Sequence, residues 1–143
     1  MDGLVTIRTI GHGLAAQAVS AALAKGDETG CPVAAAVIGA GGELVALLRA
    51  SGTPFPSSQI AQDKAYTAAS FRVPTPEVYK MVSGNPALST GLTARTGIVM
   101  FGGGLPIVID GEFVGAIGVS GGSEEIDIAC SNAGLSAIGG AQH

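Results

Sequence analysis

The chain has little charge, few aromatic side chains and almost no cysteine. Of its 143 residues, 13% are charged and 4% aromatic, there is no tryptophan, and the two cysteines are Cys31 and Cys130. Each shortage excludes something. Two cysteines make no disulfide framework, and their apolar surroundings read as small buried thiols. The seven Lys and Arg are scattered and the net charge is −4. No basic stripe exists to follow a phosphate backbone, so no nucleic-acid partner is expected. No apolar run approaches the ~20 residues that span a bilayer, so no membrane partner is expected either. The opening MDGLVTIRTIGHG lacks the basic-then-apolar order of a signal peptide, which makes the cytoplasm the expected location. A hydrophobic fraction of 47% is too high for a disordered chain. So little charge leaves an apolar surface on a monomer, and a homo-oligomer is expected.

What the chain has instead is glycine, 23 residues of it. Residues 101–122 read FGGGLPIVIDGEFVGAIGVSGG. Asp110-Gly111 tolerates the positive φ angles of a two-residue turn, so two apolar runs form a β-hairpin. Its open ends, Gly102-Gly103-Gly104 and Gly121-Gly122, then lie side by side without side chains. Their bare amides can line a concavity for an anion or carbonyl oxygen, next to the N-terminus of the helix that starts at Ser123. The plainer reading is that glycine lets the hairpin twist and a helix pack closely. For Gly115 and Gly118, inside the strand, the plainer reading is preferred.

The rest of the chain suits one domain, 1–143. Residues 10–28 read as a helix with apolar residues on two sides: His12, Ala16, Val19 and Leu23 on one, Leu14, Ala18 and Ala21 on the other. Such a helix calls for cover on both sides, by a sheet and by another subunit. VAAAVIG and ELVALLR form a second hairpin, ending at Arg49. SSQIAQDKAYTAASF, residues 57–71, is a helix, and a short one follows over about 76–83. SGNPALSTGLTARTG reads as irregular, and GIVMF, residues 97–101, as a third strand. Ser123 is the N-cap of a last helix, with Glu124 and Glu125 at its positive end. Five antiparallel strands with packed helices make an α+β domain.

Several motifs fail for want of context. Gly11-His12-Gly13 resembles a dinucleotide-binding turn, but the strand after it opens a hairpin rather than a parallel βαβ unit. GVSGG has the letters of a nucleophile elbow without its strand-to-helix setting. No His, Cys and Asp residues cluster at zinc-ligand spacing, so no metal site is assigned. Lys64 is sharper. With Ile60 at 0° on a helical wheel, Lys64 falls at about 40°, Ala68 at about 80° and Ala61 at about 100°, with Thr67 at the edge of that arc. A lysine in an apolar arc either serves a ligand or snorkels to water.

GGGLPIVIDGEFVGAIGVSGG, followed by Asp127 and a helix containing Gly134, resembles the family of GlcG, HbpS and the C-terminal domain of PduO-type corrinoid adenosyltransferases. KAYTAASFRVPTPE, residues 64–77, resembles that family's lysine–threonine segment, and ELVALLRASG its second strand. The resemblance implies a profilin-like α+β fold with a five-stranded antiparallel sheet, higher oligomers and, in some members, haem. Lys64 and Thr67, from the helical arc, are the candidate catalytic pair. Gly103, Gly104, Gly121, Gly122 and Arg49 become the candidate ligand-binding set. Haem needs an axial ligand, for which His12 and Cys31 are the candidates. The chain departs from the family pattern where VIGAGG lacks an aspartate and where Arg49-Ala50-Ser51-Gly52 lacks another. Two readings stand: a small-ligand-binding protein that takes haem or a related cofactor, and a cofactor-independent lyase, isomerase or hydrolase acting on a small carbonyl or carboxylate metabolite.

Overall fold

A computed structural model describes residues 2–143. After an extended arm comes helix α1 (His12–Glu28). Its buried stripe is Ala15, Ala18, Val19, Ala22, Leu23 and Gly26. His12, Leu14 and Ala16 are exposed, so within one chain α1 is covered on one side and not on two. The small residues of that stripe let the chain close tightly: a Cβ on Gly26 would stand 2.6 Å from the Cys31 carbonyl oxygen.

Strands β1 (Ala34–Gly39) and β2 (Leu44–Arg49) form the first hairpin. Helix α2 (Ser57–Phe71) has the bounds read from the sequence. Helix α3 (Thr75–Val82) follows two residues after the left-handed Arg72, with a proline in its first turn. Residues 83–97, expected to be irregular, contain a further helix, α4 (Pro86–Thr93). The Asn85 side chain caps it by accepting the Leu88 N–H at 3.1 Å, and Pro86 fits the first turn, where no N–H is needed. Strands β3 (Gly104–Ile109) and β4 (Glu112–Ser120) meet at Asp110 (φ 52°) and Gly111 (φ 77°), the positive-φ turn the Asp-Gly pair predicts. Helix α5 (Glu124–Ala137) starts at Ser123, whose Oγ accepts the Ile126 N–H at 3.2 Å.

Among the described residues the fold is α+β: one antiparallel sheet in the order β2-β1-β4-β3, with five helices. The sheet has four strands, not the expected five. Residues 97–101 form no strand because two hydroxyls already occupy their backbone. Thr67 Oγ1 donates to the Gly97 carbonyl (2.8 Å) and accepts the Val99 N–H (3.0 Å). Thr75 Oγ1 donates to the Phe101 carbonyl at 2.6 Å. The segment is clipped to α2 and α3, and its backbone needs no neighbouring strand.

The two faces of the sheet are unlike. Val33, Ala35, Val37, Leu105, Ile107, Ile117 and Val119 point to one face and build the main core with α1 and α5. Alternate positions point to the other face, where Ala34 and Ala36 pack on Ala61 of α2. Gly118 lies beside Ala36 on one neighbour and Gly104 on the other. This row of small residues lets the α2 backbone approach. A Cβ on Gly104 would stand 2.5 Å from the Lys64 carbonyl oxygen, and one on Gly118 would collide with the Ala61 carbonyl. The plain packing reading of Gly118 therefore holds.

Candidate functional site

Lys64 stands on the α2 side of the sheet and Asp127 on the α5 side. The glycine end of the β3–β4 hairpin is the gap through which they meet. Lys64 is 1% exposed and Asp127 3%. The ammonium donates to the Val119 carbonyl (2.8 Å) and to Asp127 Oδ2 (3.0 Å). The Phe101 ring covers it from a third side, 4.9 Å from ring centre to Nζ. Gly103 makes the passage: a Cβ there would stand 2.7 Å from Lys64 Nζ. Burial pushes the Lys64 pKa down, and the charges of Asp127 and Glu124 oppose that shift. Burial pushes the Asp127 pKa up, against the pull of Lys64 and of the Gly122 N–H. Desolvation wins at both ends of the pair. Lys64 does not snorkel.

The first two turns of α5 hold the glycines. Glu124 Oε1 accepts the Gly102 N–H at 2.6 Å, Asp127 Oδ1 the Gly122 N–H at 2.9 Å, and Ser131 Oγ donates to the Gly103 carbonyl at 2.6 Å. These residues lie at i, i+3 and i+7, one stripe of the helix. Sequence reasoning gave Asp127 and Ser131 no role. The available signal was two polar residues at helical spacing, continued by Gly134. The buried set is Asp127, Cys130, Ser131, Gly134 and Leu135.

The glycines do not line an open concavity, which corrects that expectation. The Gly104 N–H donates to Thr75 Oγ1 at 3.2 Å, and the Gly122 N–H is taken by Asp127. A Cβ on Gly121 would stand 2.8 Å from the Pro32 carbonyl oxygen, and one on Gly122 would stand 2.8 Å from Cys31 Sγ. Close packing of backbone and side chains has claimed the space beside all four positions, Gly103 included. Thr67 shares the α2 face with Lys64, but its hydroxyl holds the 97–99 backbone. Arg49 is exposed at the far edge of the sheet, opposite Ala34, which in turn lies opposite Ser120. That is two strand spacings, about 10 Å, from β4. Its guanidinium donates to the Thr53 carbonyl and stands over Phe55.

His12 and Cys31, the two candidate axial ligands, do not come together. His12 is the first residue of α1, and Cys31 follows its end. Cys31 donates its N–H to the Gly26 carbonyl, so at 1.5 Å rise per residue about 20 Å of helix stands between the two residues, and they cannot ligate one iron from the same chain.

An apolar groove of about 320 Å³ opens on the outer side of Phe101. Tyr79 of α3, Ser89 and Thr93 of α4, and Ile98, Val99 and Met100 line it with Phe101. Lys64 does not line this groove; the ring that covers Lys64 is part of its wall.

Comparison with known proteins places this arrangement. The model of the family described as "Haem degrading protein HbpS-like" matches residues 10–136, from before α1 to near the end of α5. The chain belongs to the HbpS-like family. Its HbpS-like relatives include a 15.0 kDa protein of Citrobacter freundii, 38% identical over 122 residues, which are 85% of this chain and 86% of that protein. GlcG of Escherichia coli is 35% identical over 111 residues, 75% of this chain and 81% of GlcG. Among solved structures, protein ORFY of Klebsiella pneumoniae has a TM-score of 0.88 at 29% identity, covering 96% of each chain. A PduOC–heme complex has a TM-score of 0.85 at 27% identity, covering 94% of this chain and 99% of that one. The family resemblance carried by the 102–122 hairpin is thereby confirmed.

Proposed function

We propose that this HbpS-like chain is a small-ligand-binding protein that takes a flat, largely apolar ligand of the haem class in the Phe101 groove. The observation that carries this reading is the groove's wall: Ile98, Val99, Met100 and Phe101 are apolar, and Tyr79 and Met100 belong to side-chain types that ligate haem iron. The solved heme complex of a structural neighbour supports the ligand class. At about 320 Å³ the groove is at the small end of ligand sites, so one chain covers part of a macrocycle. A second copy of the chain is the proposed partner, and the exposed side of α1 with Leu14 and Ala16 is the apolar surface offered to it. Haem, when bound, would supply iron chemistry; the chain's own part is to shield the ring face and present one iron ligand.

The enzyme reading asks the Lys64 amine to meet a substrate. Two hydrogen bonds and the Phe101 ring hold it inside the protein, which favours binding over turnover.

Haemin titration followed by visible absorbance, with sedimentation of the product, tests the proposal. The expected result is a sharpened Soret band on a species heavier than the 14.0 kDa chain. That band should persist in a His12→Ala/Cys31→Ala variant and shift or weaken in Met100→Leu or Tyr79→Phe. A band lost in the first variant and unchanged in the other two would place the ligand elsewhere, and no saturable band would sink the reading.

A further inference from the structure

A second cavity system lies on the other side of α2, between that helix and the β1–β2 turn. It has two lobes, of about 330 and 340 Å³, which share Gly42 and Tyr66. One lobe ends at Arg72 and Ser70; the other is lined by Gln59, Gln62, Asp63 and Thr96. The Arg72 lobe is mainly polar and the other is mixed, with Ile38 and Leu44 in its wall, where the Phe101 groove is apolar.

Arg72 is the unusual residue. It terminates α2 in the left-handed conformation (φ 58°, ψ 33°), its N–H donating to the Ala68 carbonyl at 2.8 Å. Glycine fits that position without a Cβ penalty, so an arginine there carries local strain. Its guanidinium lies over the Phe113 ring, 4.5 Å from the centroid, and among the described residues it forms no ion pair. A flat cation stacked on an aromatic ring keeps its N–H edge free and aimed. The Tyr66 ring stands between the two lobes, 3.2 Å from where a Gly97 Cβ would be. In the second lobe Asp63 accepts from Gln59 at 2.9 Å and keeps its other oxygen for a further donor.

We propose that this cleft binds a polyhydroxylated monocarboxylate of the sugar-acid class. The carboxylate pairs with Arg72, and the hydroxyls reach Ser70, Tyr66 and the Gly41-Gly42 backbone of the same lobe. A planar carboxylate matches the fork of a single guanidinium. A phosphate dianion brings a second negative charge into a cleft that already holds Asp63. A neutral sugar leaves Arg72 without its partner. The combined volume lies within the range of ordinary small-ligand sites.

The test is a titration of the ¹⁵N-labelled protein with sodium gluconate, beside glucose and glucose 6-phosphate. Gluconate should give saturable shifts at the amides of Gly41, Gly42, Tyr66 and Thr96, with glucose weaker by about tenfold or more. Arg72→Gly separates this role from helix termination. Glycine suits the left-handed position, so the variant should melt at an equal or higher temperature and yet lose about tenfold or more in gluconate affinity. Absence of saturable shifts up to about 50 mM gluconate overturns the proposal, as does equal binding of glucose, preference for the phosphate, or unchanged affinity in Arg72→Gly. None of these outcomes depends on the haemin titration, which reads a different groove.

Discussion

Lys64 Nζ and Asp127 Oδ2 lie 3.0 Å apart, although their helices pack on opposite faces of one sheet. The side chain of Lys64 passes where Gly103 has none. The pair thus ties α2 to α5 through the glycine end of the β3–β4 hairpin, and Asp127 also holds the Gly122 N–H.

Removing one member of this pair should cost far more than removing both. Lys64→Met keeps the bulk but leaves a buried carboxylate without its counter-charge, a loss of about 3–5 kcal/mol. Adding Asp127→Asn removes that charge and retains an acceptor for Gly122, so the double variant should recover most of the loss. Urea unfolding of wild type, both single variants and the double variant measures the coupling. Additive losses would mean that the two groups do not act as a pair.

Cys130 gives a signature in alkaline solution. Burial, reinforced by the nearby Asp127 and Cys31, pushes its pKa up from 9.0 to about 11. Between those values the folded chain keeps a proton that the unfolded chain has released. Its contribution is therefore full below pH 9 and disappears as pH rises through about 11. Relative to Cys130→Ala, wild type should lose about 2–3 kcal/mol over that interval. Chemical denaturation of both proteins at several pH values checks the difference, and parallel curves would contradict it. In a thiol assay at pH 8, the half-buried Cys31 should react in the native protein and Cys130 only after unfolding.

Thr67→Val tests the hydroxyl clip. The substitution keeps the shape of the side chain and strands the Gly97 carbonyl and the Val99 N–H, at a cost of about 1–3 kcal/mol. Hydrogen exchange at Val99 should accelerate more than at the centre of β4. Uniform acceleration across the sheet would show a global loss of stability rather than release of this segment.

How much of this was legible depends on how far apart the partners lie in sequence. The bounds of α2, the Asp110-Gly111 turn and the Ser123 cap all follow from interactions between near neighbours. The place of Lys64 in an apolar arc with Ala61 and Ala68 was legible, but the arc left open whether its ammonium stays inside or snorkels to water. The separation of His12 from Cys31 was also within reach, since the helix read between them sets it. Helix α4 was missed because its composition is that of a loop. Its start is marked by Asn85 and Pro86, a cap and a first-turn proline, rather than by any apolar period.

The sequence by itself determined the α+β class, the two hairpins, most of the helices and a lysine on the apolar face of α2. These depend on φ/ψ preferences, capping and periodicity, each settled within a few residues. Only the tertiary structure decided what Lys64 meets, what the glycines are for, and whether 97–101 becomes a strand. Asp127 is separated from Lys64 by 63 residues, and Thr67 from Gly97 by 30. Local periodicity carries no information about such pairings. They arise when the small-residue face of the sheet lets α2 settle against it and brings buried polar groups within reach of the partners that burial obliges them to find.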